Sequence, residues 1–510
     1  MPYSVPTEQL HTFILDNHKF DGKILADSEP RCPVADIAAR YVVAGSALDF
    51  SWDDFYKQHF IEPELPAEGV KAKPGIAIDE HIDAMWQKLT LPASTDGYTR
   101  IGLPNPTVVP GERFSESYYW DSYFTMRGLA VAGKWDMVEG MVNNFAYQID
   151  QFGYVPNGAR FYYLGRSQPP VFSHMVRLLA ERPDEHASGS PLEQTSYKET
   201  MTKYLRHMRK EHEFWTDGRS RIVSGIGGTA VKRMVLMPDG SFLNRYYDSN
   251  ATPRPESYRK DIELAQDAGI EQPTKPHEFF RYIRAAAESG WDFSGRWCAD
   301  GRSLKTINTT DIVPIDLNSL LYDLEATIAE ASVYAGEPER ANFYQKEAER
   351  RKAAINKYLW DAQDGFYYDY NHQQGRMNKY PTMAAAFPLH SRIASFDQAA
   401  AVATRLQTEF LQSGGYATTL QETPEQWDGE NGWSPLHLIA HTALCNYGFD
   451  IAAEEGSSRW IGRNKDLFDR TRQCHEKSNV GSVVKAGDGG EYEGQTGFGW
   501  TNASLLDLQK

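Results

Sequence analysis

Residues 316–338 read Asp316-Leu317-Asn318-Ser319-Leu320-Leu321-Tyr322-Asp323-Leu324-Glu325-Ala326-Thr327-Ile328-Ala329-Glu330-Ala331-Ser332-Val333-Tyr334-Ala335-Gly336-Glu337-Pro338. Leu317, Leu321, Leu324, Ile328, Ala331 and Ala335 recur at spacings of four and three, which places them on one face of an α-helix. Asp316 supplies an N-cap, and Gly336 followed by Pro338 supplies a stop. The next segment, 337–358, sets Tyr344, Ala348, Ile355 and Leu359 on one face and its charges elsewhere. Two such helices joined by Gly336-Glu337-Pro338 form an antiparallel hairpin.

Outward from this hairpin the helical period continues at 122–133, 135–150, 172–182, 192–215, 275–289, 381–390, 396–413, 435–446, 448–470 and 498–508, giving an all-α chain. Leu359-Trp360 and Phe366-Tyr367-Tyr368, flanking Asp364-Gly365, predict a small strand pair. No repeat of 34 or 40 residues is visible, which argues against a regular solenoid. The connections 151–171, 218–272 and 477–497 are long and rich in Gly, Pro, Asn and aromatics, and long structured loops in a helical domain are usually functional. No low-complexity linker divides residues 71–510, so they read as one catalytic domain, with 1–70 as an N-terminal extension packed on it.

The 510 residues carry a formal charge of −16, which disfavours a phosphate backbone as partner, so no nucleic-acid ligand is expected. Aromatic content is 13 %, with 12 Trp and 28 Tyr, and flat rings suit the C–H faces of sugars as well as large cores. No window approaches 18 uninterrupted apolar residues, so no membrane partner is expected. Cys32, Cys298, Cys445 and Cys474 show no paired spacing, and the start Met1-Pro2-Tyr3-Ser4-Val5-Pro6 has no basic or apolar leader pattern. Those two features lead to an expected cytoplasmic location. The 14 His contain no HExxH, and neither a metal nor another cofactor is expected.

Six loop segments set carboxylates and arginines among Trp, Tyr and Gly. They are Pro110–Tyr123, Pro156–Arg160 leading to Arg166–Pro170, Pro253–Ser257, Glu288–Trp297, Gln426–Trp433 and Gly489–Asn502. Arg, Asn, Gln and carboxylates supply the paired donors and acceptors that sugar hydroxyls need. Glycoside hydrolysis needs two carboxyl groups, one protonated and one ionised. Asp292 lies between Trp291 and Phe293, rings that would desolvate it and raise its pKa. Glu491 follows Gly489-Gly490, whose backbone freedom could bring it beside a substrate. Among 69 acidic residues, chemistry alone does not select two.

These six segments, in this order across residues 70–508, resemble the motifs of trehalases, glycoside hydrolase family 37. The resemblance implies an (α/α)6 toroid of six helical hairpins with long structured loops forming the active site at the wide end of the barrel. It implies hydrolysis of α,α-trehalose to two glucose molecules with inversion, Asp292 being the general acid and Glu491 the general base. In an inverting enzyme the two carboxyl groups stand ~6.5–9.5 Å apart, leaving room for a water. It further implies sugar contacts from Arg113, Phe114, Trp120, Asp121, Asn157, Arg166, Gln168, Arg254, Glu256, Gly290, Trp427 and Trp433. A monomer acting on trehalose is expected.

Plainer roles compete at several positions. Asp292 could pair with Arg296, Arg254 could tie down Glu256, and Asp121 could cap a helix beside a core Trp120. Trp427 and Trp433 could be packing rings. Glu493, Asp488 and Glu430 are neighbours of the Glu491 assignment, but Glu491 alone follows the glycines and precedes Tyr492 as the motif does. The chain also departs from the family pattern. Glu112 and Ala159 stand where Gly and Asn are usual, Asp488 interrupts a glycine run, and Thr496 stands where an acid is common. Two other readings remain: an (α/α)6 glycosidase for a related or phosphorylated disaccharide, and a catalytically silent sugar-binding protein.

Overall fold

The computed structural model describes residues 22–510 except 46, 48, 184–190 and 227, and only the backbone of 191–195. Residues 1–21 of the expected N-terminal extension therefore lie outside the described residues.

Six helices form a closed inner ring: Tyr119–Val131, Phe172–Ala180, Ile315–Tyr334, Phe387–His390, Ser434–Cys445 and Gly499–Asp507. Each packs on the next, and the last packs on the first. Ile78–Lys88, Trp135–Phe152, Pro191–Thr216, Pro338–Tyr358, Phe396–Arg405 and Asp450–Thr471 lie around them, completing an (α/α)6 toroid. Sequence separates the two layers. Tyr119–Leu129 is buried almost all round, as an inner helix must be, whereas Pro338–Tyr358 buries only Ala341, Tyr344, Glu347, Ala348, Arg351, Ala354 and Ile355.

The quoted hairpin is present as Ile315–Tyr334 and Pro338–Tyr358, with Gly336 at φ +72° between them. Its start is corrected. Pro314 occupies the N-cap, and Asp316 sits inside the first turn, where its carboxylate receives Nη2 of Arg296 at 2.8 Å. A buried arginine competes for that carboxylate more strongly than the helix end does. Segment 381–390 is a 3-10 turn, Met383–Ala386, followed by Phe387–His390, because Pro388 lacks the N–H needed to continue one helix. Segment 396–413 is α-helical only to Arg405, then a π-turn over Leu406–Phe410 and a strand. Trp360–Asp361 pairs with Phe366–Tyr367 as the turn residues predict. The long connection 218–272 holds an additional helix, Tyr258–Asp267, whose Tyr258, Ile262 and Ala265 form its buried stripe.

Within 22–70, helices Gly22–Asp27, Val34–Ala44 and Trp52–His59 are formed. Leu25, Ile37, Trp52, Phe55 and Phe60 share one apolar cluster with Tyr258 and Ile262. The N-terminal helices thus rest on the helix that follows the Arg254–Ser257 loop.

Five of the loops that carry the sequence motifs run into N-termini of ring helices, at Tyr119, Phe172, Ile315, Ser434 and Gly499. That common polarity gathers them at one end of the ring. Strand Asn431–Trp433 pairs with Lys477–Asn479, joining two of these loops directly.

Candidate active site

The gathered loops enclose about 710 Å³, counting the space at the mouth, within the range of small-ligand pockets of ~300–1,000 Å³. Asp292, Glu491, Arg113, Phe114, Trp120, Asp121, Asn157, Arg166, Gln168, Arg254, Glu256, Gly290, Trp427 and Trp433 all line it. Lys23, Tyr118, Tyr163, Ser257, Glu476, Tyr492, Phe498 and Trp500 line it too, and sequence reasoning did not single them out. Tyr118, Ser257, Tyr492, Phe498 and Trp500 lie inside the quoted motifs, and Tyr163 lies between the two halves of one. Lys23 and Glu476 carry no local pattern that would have found them.

Asp292 is fixed through its backbone. Gln426 Nε2 donates to its carbonyl at 2.6 Å, Trp427 N donates to the carbonyl of Phe293 at 3.0 Å, and Asp428 accepts from Ser294 Oγ at 2.6 Å and Gly295 N at 2.7 Å. Three consecutive residues thus hold four. Arg296 is engaged by Asp316 and Asp369, so it is not the ion-pair partner of Asp292. Burial pushes the Asp292 carboxyl up to about 7, with the charge of Glu491 adding and Arg254 opposing.

Glu491 accepts from Arg254 Nη2 at 2.8 Å and Ser257 Oγ at 3.3 Å. Arg254 is held by Asp261 at 2.6 Å, and Glu256 instead receives Arg166 at 2.6 Å, so Arg254 does not tie down Glu256 through a hydrogen bond. Gly489 and Gly490 stand at φ +77° and +87°, and a Cβ there would meet Pro424 O at 2.6 Å and Gln426 Oε1 at 2.7 Å. Close passage over residues 424–426, not looseness, is what these glycines provide. Of the neighbouring acids, Asp488 pairs with Lys485 and Glu430 receives Asn479.

Asp121 lies in the first turn of its helix, where the N-cap is Tyr118. Its carboxyl is pushed up to about 8, chiefly by burial, then by the charges of Asp292 and Glu476. Its pKa is therefore as perturbed as that of Asp292; Glu491 and Arg254 are among the main influences on Asp292, as Asp292 and Glu476 are on Asp121. Gln168 accepts from Trp120 N at 3.0 Å. Gly290, at φ +74°, lets the Trp120 indole lie against the backbone, since a Cβ would come within 2.6 Å of Cε2. Trp427 and Trp433 stack at 3.9 Å and 1°, so each is both a packing ring and a wall of the cavity.

The departures from the family pattern have local explanations. Glu112 adopts φ +48°, a backbone state that favours glycine, and its carboxylate accepts from Thr496 N at 3.1 Å and from the Thr496 hydroxyl. Two departures therefore meet in one contact. Ala159 is buried beside Ile101 and Leu103, an apolar setting that suits a methyl group. Among the described residues no three His, Cys, Asp or Glu side chains converge as a metal-holding group.

With this geometry in place, similarity decides the family. The family model described as Trehalase matches residues 58–510. The chain belongs to the trehalase family. A periplasmic trehalase of Citrobacter koseri is 42 % identical over 493 residues, spanning 96 % of this chain and 82 % of that protein. A periplasmic trehalase of Escherichia coli O17:K52:H18 is 42 % identical over 495 residues, spanning 96 % and 83 %. Neutral trehalase Nth1 of Saccharomyces cerevisiae superposes with a TM-score of 0.62 at 26 % identity, covering 79 % of this chain and 73 % of that one. A mannosylglycerate hydrolase of Thermus thermophilus shares the fold alone, with a TM-score of 0.55 at 16 % identity over 85 % of this chain and 100 % of that one.

These trehalases correct the expected cytoplasmic location: the relatives that match 96 % of the chain are named periplasmic. Unpaired cysteines were no guide to compartment. Burial raises the thiol pKa of Cys298 and Cys474, so both are packed thiols whose lack of pairing carries no compartment signal.

Proposed function

We propose that this chain hydrolyses α,α-trehalose to two glucose molecules with inversion, Asp292 acting as general acid and Glu491 as general base. One observation carries the assignment. A desolvated carboxyl pushed up to about 7 shares a cavity with a second carboxyl that accepts hydrogen bonds from Arg254 and Ser257. The first suits a proton donor near neutrality, and the second suits a proton acceptor.

Glu491 removes a proton from a water as its oxygen attacks one anomeric carbon. The bond from that carbon to the bridging oxygen breaks, and Asp292 delivers its proton to that oxygen. One glucose leaves with its α configuration, the other forms as β, and proton exchange with solvent resets both carboxyls. Arg166, Asn157, Gln168 and Glu256 present donors and acceptors to the hydroxyls, and Trp427 and Trp433 present ring faces. One chain supplies every group in this scheme, so a monomer suffices.

The lining charges favour a neutral sugar. Lys23 is paired with Asp27 and Glu116, Arg166 with Glu256 and Asp248, and Arg254 with Asp261 and Glu491, so these lining cations are already neutralised by carboxylates of the chain. Real-time NMR of the first products tests the reading. Equal α- and β-glucose are expected from trehalose; two α-anomers, or release from a phosphorylated disaccharide alone, would overturn it. Binding of trehalose without glucose release would establish a silent sugar-binding protein instead.

A further inference from the structure

We infer that Lys23, on the N-terminal helix Gly22–Asp27, is a positioning residue for the sugar-binding wall formed by Arg166, Asn157 and Glu256. The helix is distant from that wall in sequence, yet it is inserted into it. A Cβ on Gly22 would sit 3.5 Å from the carbonyl of Glu256, and Ala26 packs among Tyr118, Tyr162 and Tyr163.

Lys23 is 3 % exposed. Its ammonium donates to Glu116 at 2.7 Å, Asp27 at 2.8 Å and Tyr162 at 3.2 Å. Arg160 lies 3.3 Å from Asp27 and 3.6 Å from Glu116. The buried group therefore contains two cations and two carboxylates and is neutral as a unit. Removing one member leaves a buried charge unbalanced, which is the costly event in such clusters.

From Glu116 the connection runs to the cavity. Tyr118 donates its hydroxyl proton to Glu116 at 2.7 Å, so the proton in the 2.7 Å contact between Tyr118 and Tyr163 belongs to Tyr163. The Tyr163 ring carries the Arg166 guanidinium 5.0 Å from its centroid. Arg166 in turn donates to Glu256 at 2.6 Å and to Asn157 at 3.3 Å. Tyr118, Tyr163, Arg166, Asn157 and Glu256 all line the cavity. The two tyrosine hydroxyl links have fixed donor direction, so displacing Glu116 tilts Tyr118 and Tyr163 and moves the ring over which the Arg166 guanidinium lies.

This inference rests on the trehalose-hydrolase reading, because its readout is turnover of trehalose. The wall holds the sugar in the ground state and the transition state alike, so loosening it raises KM more than it lowers kcat. The test is steady-state glucose release by the full chain, Lys23→Met, Lys23→Met/Glu116→Gln and Lys23→Arg, each with a thermal unfolding curve. Lys23→Met is expected to raise KM about tenfold with kcat changed less than about threefold. The double variant restores charge balance and keeps an acceptor for Tyr118, so it is expected to recover most of that loss. If Lys23→Met does not fold, Lys23→Arg carries the test, with a raised KM at a nearly unchanged kcat expected and an unchanged KM overturning the inference.

A merely structural role predicts lower unfolding temperature and less active protein at an unchanged KM, and that result overturns the inference. So does a tenfold rise in KM that the double variant leaves untouched. Absence of glucose release from the unsubstituted chain would instead bring down the activity reading on which the inference stands.

Discussion

Arg254 Nη2 lies 2.8 Å from Glu491 Oε1 while the same guanidinium is gripped by Asp261 at 2.6 Å. The position of one carboxylate in the cavity is thus set by an arginine that a second, fully enclosed carboxylate anchors. Asp261 is 1 % exposed, so its loss is felt through both structure and site. Asp261→Ala is expected to cost about 3–5 kcal/mol of folding stability, the range for breaking a buried ion pair. Urea unfolding measures that cost. Glucose release from the folded fraction should fall as well, and an unchanged kcat would show that Glu491 does not depend on this anchor.

Removing either reacting carboxyl should silence the chemistry without disturbing the fold. Asp292→Asn and Glu491→Gln keep the shape of each side chain and abolish its proton transfer. Each is expected to lower kcat by about 10²–10⁴, the usual worth of a general acid or base. The check is glucose release beside near-UV circular dichroism; near-normal turnover in either variant would refute that residue's role.

The pH dependence follows from the Asp292 carboxyl being pushed up to about 7. An acid must carry its proton, so kcat/KM should decline as pH rises through about 7. Asp121, pushed up to about 8, is the competing source of such a limb, and Asp121→Asn should retain the decline near 7 if Asp292 causes it. Stability moves with the same sign. Between the ordinary value of 3.8 and about 7 the folded chain holds a proton on Asp292 that the unfolded chain releases, so this group's contribution to stability diminishes as pH increases across that window. A basic limb displaced above pH ~9 would sink the acid assignment.

Gly290→Ala tests the close approach of Trp120. The new methyl would fall 2.6 Å from the indole at a φ of +74°, combining overpacking with a backbone state that alanine resists. A loss of about 1–3 kcal/mol is expected from overpacking alone. Trp120 must turn aside, so KM for trehalose should rise. An unaltered unfolding temperature and KM would show that the ring has space to yield.

Much of this architecture is legible in residue order. The stripe from Leu317 to Ala331 is a core helix because its period is enforced by burial on both sides of the layer. Tyr258, Ile262 and Ala265 carry the same signal, but they lie within a stretch whose Gly and Pro content argues for loop. Asp316 looks like a cap because the rule is local, while its partner Arg296 is brought by the fold. The site shows the same division. Motif residues such as Trp120 and Trp433 are found through the resemblance of their segments to the family, whereas Lys23 is a plain lysine in a segment without a motif. Its importance comes from being buried against Glu116, 93 positions away, which no spacing rule encodes.

The parallel indoles of Trp427 and Trp433, with Trp291 stacked on Trp427 at 5.3 Å, have an optical consequence. Chromophores this close share excitation, so their near-ultraviolet bands act as one coupled signal. Because Trp427 and Trp433 form part of the lining, a sugar entering the cavity is expected to change their surroundings and with them the emission. Tryptophan emission followed by stopped-flow would then serve as a label-free gauge of occupancy.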